Sequence, residues 1–115
     1  KTAEIINEKH RVEIIVDERI KEVFCGNVQG ECVKDWTEEQ HQELHNHPEK
    51  FGAEGIVKLC SRVEEFYKEI ENSQKDILIV AHGGVYRALY RYLNNLDWKD
   101  FHFKGIENAK AVRLK

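Results

Sequence analysis

The residues with the most chemical content are His82-Gly83-Gly84, which follow the apolar run ILIVA at 77–81 and precede a stretch of helical spacing. A strand, a glycine turn and a helix N-terminus in that order gather backbone amides beside an imidazole, a place that attracts an anion. The glycines admit a phosphate close to the backbone, and the imidazole can donate to a phosphoryl oxygen or carry positive charge against it. The plain alternative is a partly buried histidine that ends a strand. Position favours the chemical reading, because ligands of open α/β sheets gather at the carboxyl ends of strands. Glu22, beside Lys21, is by residue type alone a solvated loop glutamate with no assignable role.

The elements that must position these residues predict an α/β protein. Residues 77–81 read as a strand covered on both faces, at the centre of a sheet. Residues 12–16 (VEIIV) are β-branched and read as a second strand, and 109–114 as a last short one. Between 53 and 70, the residues Ile56, Val57, Leu59, Cys60, Val63, Phe66, Tyr67 and Ile70 share one helical face, with Lys58, Arg62, Glu65 and Lys68 opposite. Val85, Ala88, Leu89, Tyr92 and Leu93 continue at helical spacing as far as Asn94-Asn95, and Thr2 with Ala3, Ile5 and Ile6 reads as the end of a helix. Thr37-Glu38-Glu39-Gln40 matches a capping box, and Pro48 should end the helix it starts. Residues 20–36, with Gly26 and Gly30, keep no period and read as an ordered loop.

Composition narrows the partners. Of 115 residues, 41% are hydrophobic and 34% charged, which suits one soluble domain. The 18 basic residues are scattered among 21 acidic ones for a net charge of -3, so no basic stripe exists to neutralise a nucleic acid. No apolar run approaches the roughly 20 residues of a membrane span, and the N-terminal residues show no basic segment followed by an apolar one; a cytoplasmic protein without a membrane partner is expected. Cys25, Cys32 and Cys60 include no C-x-x-C pair, which predicts reduced thiols rather than disulfides or a zinc site. His41, His45 and His47 invite a metal reading, but HQELH is not H-E-x-x-H, and a solvated polar helix is preferred. Trp36, Trp98, Phe101 and Phe103 read as packing residues, since no basic groove accompanies them.

Four segments, in order, resemble the histidine phosphatase superfamily, the phosphoglycerate-mutase-like proteins. Thr2-Ala3-Glu4-Ile5-Ile6 is similar to the family's "TAEII". Asp17-Glu18-Arg19-Ile20-Lys21-Glu22-Val23, with Gly26 and Gln29-Gly30, resembles its "D-x-x-L-x-E-x-x-x-G-x-x-E-G". Gly52-Ala53-Glu54-Gly55 with Arg62-Val63 resembles its "G-G-E-S…R-V", and residues 77–89 (ILIVAHGGVYRAL) resemble its second-histidine motif.

The resemblance implies a three-layer α/β sandwich with a mainly parallel sheet flanked by helices. It implies hydrolysis of a phosphomonoester through a phosphohistidine, with no cofactor and no metal. Glu22 would protonate the leaving oxygen, His82 would stabilise the phosphoryl oxygens, and the Gly83 and Gly84 amides would bind substrate. A small phosphorylated metabolite is the implied substrate. Phosphoglycerate mutases of this family carry a long insertion after the Glu-containing loop. Only 25 residues separate Gly26 from Gly52, which favours a phosphatase over a mutase.

Departures from the family pattern carry their own expectation. No Arg-His-Gly occurs in the sequence, Gly55 stands for the usual Ser, and Gln29 for the usual Glu. The chain thus reads as a C-terminal portion from which the first, central strand and the nucleophile are missing. It is predicted to be inactive alone, a fragment or phosphate-binding subunit that needs a partner segment. Either it exchanges elements with a copy of itself as a homodimer, or residues upstream of Lys1 have been lost.

Overall fold

The computed structural model describes residues 1–28, 36–97 and 106–114. Gln29, Gly30, Cys32, Trp98, Phe101 and Phe103, each singled out from the sequence, lie outside the described residues. Among the described residues four α-helices occur: α1 (Thr2–Asn7), α2 (Glu38–Asn46), α3 (Ile56–Ile70) and α4 (Gly83–Leu93). Short 3₁₀ turns occur at Glu18–Ile20, Gly26–Val28 and Pro48–Phe51. None of these helices is long and apolar enough to cross a membrane.

The core is the α3–α4 pair. On α3 the buried residues Ile56, Leu59, Cys60, Val63, Phe66 and Tyr67 recur at three- and four-residue steps, which aligns them as one stripe. On α4 the matching stripe is Gly84, Val85, Ala88 and Leu89. Leu59, Val63 and Val85 are fully buried, and side chains of this size contribute about 1.5–3 kcal/mol each on leaving water. Tyr67 meets Tyr92 edge-on at 5.8 Å between ring centroids, and Arg91 of α4 reaches Glu64 of α3 at 3.2 Å. Val57, which the period placed on the apolar face, is exposed because it falls one residue, or 100°, off the Ile56 row.

The capping box at α2 forms as the sequence predicts. Thr37 Oγ1 accepts the Gln40 amide at 3.2 Å, while Gln40 Oε1 accepts the Thr37 amide at 2.8 Å. The helix stops at Asn46, and Pro48 opens the following 3₁₀ turn. Helix α3 starts at Ile56 rather than at 53, because the backbone of Ala53 and Glu54 is engaged elsewhere: their amides donate to the Pro48 and Phe24 carbonyls, both at 2.9 Å.

The expected three-layer sandwich with a mainly parallel sheet does not form: among the described residues there is no strand and no sheet. Residues 11–17, 76–82 and 110–114 carry no regular element. Ala109, inside the predicted last strand, has φ 57° and ends a turn. The physical reason is that β-branched residues favour a pleated, half-buried surface but do not supply the neighbour that makes one. A helix closes its hydrogen bonds within one segment, whereas a strand needs another about 4.8 Å away. Unpaired, these runs leave Val16 83% and Leu78 66% exposed. The radius of gyration, 15.4 Å, exceeds the roughly 13 Å of a compact domain of about 100 residues.

Candidate active site

Helix α4 begins at Gly83 with His82 as its N-cap. The first amides of a helix have no partner within it and carry the positive end of its dipole. Glu22 supplies one partner from across the fold. Its Oε2 accepts the Gly84 amide at 3.2 Å and its Oε1 accepts the Val23 amide at 2.9 Å. A Cβ on Gly84 would overlap Glu22 Oε1, so glycine is what lets the carboxylate close on the helix. The structure therefore brings together two residues 62 positions apart that the sequence singled out separately.

His82 and Gly83 are placed less tightly. The His82 imidazole is exposed and caps no amide, while its carbonyl accepts the Tyr86 amide at 3.1 Å. Open space surrounds the position of a Cβ on Gly83. Both sit at the α4 N-terminus, as predicted, but neither lines the cavity beside Glu22.

That cavity measures about 160 Å³ and is lined by Glu22, Cys25, Leu44, His45, Ile56, Gly84 and Arg87 among others. His45 and Arg87 were missed from the sequence. Arg87 could have been found from its spacing, because positions three and four past Gly84 and Gly83 lie on the same helical face. His45 was assigned to a solvated helix, but it is half-buried and faces the cavity. Burial, and then the neighbouring His41, holds its imidazole below the ordinary histidine range, so the neutral ring is favoured. Burial also raises the Cys25 thiol, with the Glu22 and Glu54 charges adding to it. A thiol so placed is a poor nucleophile. No group of three His, Cys, Asp or Glu side chains among the described residues could hold a metal ion, His41, His45 and His47 included. His47 instead faces Glu49 at 3.4 Å, and the His41 ring lies tilted by 50° against Trp36 with the centroids 5.7 Å apart.

The loop carrying Glu22 is tied to α3. Arg62 donates from Nη1 to the Arg19 carbonyl at 2.6 Å and from Nη2 to the Glu22 carbonyl at 3.2 Å. The same guanidinium forks onto Glu54, through Nε to Oε1 and through Nη2 to Oε2 at 2.9 Å. Glu54 Oε2 also accepts the Phe24 amide at 3.3 Å. Burial alone would raise the Glu54 carboxyl, but the Arg62 hydrogen bonds, the Phe24 amide and the Arg62 and Lys58 charges outweigh it and hold the carboxyl below the usual range. Further along, a Cβ on Gly26, whose φ is 59°, would fall on the Phe51 carbonyl, so only glycine lets the loop pass that close.

The family model of the histidine phosphatase superfamily (branch 1) matches residues 1–115. A putative phosphoserine phosphatase 2 of Hydrogenobacter thermophilus is 27% identical over 99% of this chain and 60% of its own length. Phosphoserine phosphatase 1 of the same organism is 28% identical over 94% of the chain and 55% of its length. A probable phosphatase of Schizosaccharomyces pombe is 29% identical over 83% and 44%. The chain thus spans about half the length of these curated relatives. No solved structure matches it significantly.

Proposed function

The chain belongs to the histidine phosphatase superfamily, and from that membership we propose that the protein carrying it hydrolyses a small phosphomonoester, with Glu22 as the proton donor to the leaving oxygen. The observation that carries this reading is the Glu22 carboxylate at the Gly84 amide, 3.2 Å away at the N-terminus of α4. A carboxylate there occupies an anion-binding position. A phosphoryl group drawn to the same amides takes the Gly84 bond from Glu22, and the carboxyl, having taken a proton from solvent, gives it to the ester oxygen as that oxygen departs. His82, exposed at the N-cap, reaches the phosphoryl group from the solvent side, and the Gly83 and Gly84 amides donate to its oxygens. Such a site works by positioning and by electrostatic stabilisation of spreading charge.

The cavity of about 160 Å³ beside Glu22 suits a small leaving group, and Arg87 with neutral His45 gives its walls polar character. The relatives named as phosphatases, two of them for phosphoserine, support a phosphatase acting on a small alcohol phosphate rather than a mutase. The attacking group lies outside the roles assigned to these residues, since the sequence holds no Arg-His-Gly. The 115-residue chain alone is therefore expected to bind an oxyanion and to turn over no aryl phosphate.

Titrating the chain with inorganic phosphate or vanadate, and following amide resonances by NMR, tests the placement. The largest shifts are expected at Gly83, Gly84 and Glu22, and they should vanish in His82→Ala combined with Gly84→Val. Saturable binding that leaves these amides unmoved would overturn the reading, as would turnover of an aryl phosphate by the chain itself.

A further inference from the structure

We infer that Arg62 and Glu54 are positioning residues for Glu22: an ion pair between α3 and the turn that leads into it, whose work is to hold the proton donor in register with the α4 N-terminus. The inference rests on the reading of Glu22 as the acid.

The side chains of both residues are largely withdrawn from water, Arg62 with 21% and Glu54 with 15% exposed. Their contacts converge on one short stretch of chain. Arg62 takes the carbonyls of Arg19 and Glu22, and Glu54 takes both polar groups of Phe24, accepting its amide through Oε2 and donating its own amide to the Phe24 carbonyl. The backbone is thus held before Glu22, at Glu22, and after it. Ordinary packing has no need of such a set, because a half-buried loop can satisfy its carbonyls with water. A guanidinium fork fixed by a carboxylate is planar and rigid, so it sets both distance and direction for the carbonyls it grips.

A second tie sits at the start of the same loop. Arg19 pairs with Asp17 at 2.7 Å and with Glu69 of α3 at 2.8 Å, and its guanidinium lies 5.6 Å from the centroid of the Phe66 ring. With its main chain referenced to α3, Glu22 sends its carboxylate to α4, and α3 and α4 are the two halves of the core. The acid is thereby tied to both helices of the buried core although it sits on a loop.

Arg62→Lys keeps the charge opposite Glu54 but loses the fork, so it is the informative variant. The double variant Glu54→Gln/Arg62→Met removes the pair without leaving a buried charge alone and guards against misfolding of the single change. In the 115-residue chain, hydrogen exchange at the Val23 and Gly84 amides, both bonded to Glu22, should quicken about fivefold or more relative to the buried Val63 amide. Equal change at all three, or none, overturns the positioning role. In the full-length protein, phosphates with good aryl and poor alkyl leaving groups are compared, since only the latter need a proton donor. Arg62→Lys should lower kcat/KM about tenfold on the alkyl ester and hardly at all on the aryl ester. The same loss on both means fewer folded molecules and overturns the proposal. Glu22→Gln is the control, expected to lose about a hundredfold or more on the alkyl ester alone. If it loses equally on both, the acid reading itself has failed, and that is told apart by appearing in Glu22→Gln.

Discussion

Residues 17–25 and residues 76–82 both deliver a site residue to the α4 N-terminus, and neither contains a helix longer than one 3₁₀ turn. The first segment is held by side chains of α3 and of the turn that leads into it. Its carbonyls and amides end on Arg62 and Glu54, its Arg19 ends on Glu69, and Glu22 finishes on Gly84. The second is carried by its own apolar residues, with Ile77 and Leu78 exposed and only Ile79 packed on the core. A polar loop can therefore be fixed better than an apolar run of strand composition. Ionic forks reach across a fold to single backbone groups, whereas a strand gains its order only from a partner along its length.

Breaking what both segments lean on should have the largest effect. Leu59→Ala, at the fully buried centre of α3, is expected to cost about 2–5 kcal/mol in a urea denaturation, enough to unfold a marginal domain. Acid should then separate the two segments. The folded Glu54 carboxyl lies below its ordinary 4.5 while the unfolded one does not, so between those values the unfolded chain binds more protons. The stability this contributes is full above about pH 4.5 and is lost as pH falls through the folded value. The loop of 17–25 should loosen first, visible in its amide resonances, and Glu54→Gln should remove that part of the acid transition. His45 adds to acid sensitivity at higher pH. Its folded pKa is depressed below 6.5, so the unfolded state protonates first and stability declines as pH falls through that value.

Gly84→Ala sharpens the comparison at a single contact. The added methyl displaces the far end of a flexible glutamate and improves helix propensity, so stability should move by no more than about 1 kcal/mol. The Val23 and Gly84 amide resonances should nevertheless shift as the carboxylate leaves. The smallest effect is expected where nothing packs: Leu78→Ser and Val16→Thr should each change stability by less than about 0.5 kcal/mol in thermal melts. A loss of 2 kcal/mol or more at either position would show that these runs are buried in solution, and the contrast between the two segments would fall.

Much of the site could be read in order along the chain. His82, Gly83 and Gly84 fall at a helix start because a glycine pair follows an apolar run and precedes helical spacing, and those are local signals. Glu22 had no such signal. Beside Lys21 it looks like any surface glutamate, and only the resemblance singled it out. What marks it physically is its bond to an amide 62 residues away, which no window of sequence contains. Glu54 and Arg62 were quoted as motif letters without a role, since their value lies in where the Arg19 and Phe24 backbones happen to pass. His45 reads as solvated because every residue of α2 but Leu44 is polar, although a cavity wall needs only one side of it.

The helices α2, α3 and α4, the stripe along which α3 and α4 pack, and membership of the family can all be read from the residue order, because helical period, capping and motif order are written locally. That residues 12–16 and 77–81 join no sheet among the described residues, that Glu22 closes on Gly84, and that the Arg62–Glu54 pair holds it there became visible only in three dimensions. The reason is common to all three. A helix satisfies its backbone from within, whereas a strand, a carboxylate and a guanidinium are completed by groups that lie far along the chain.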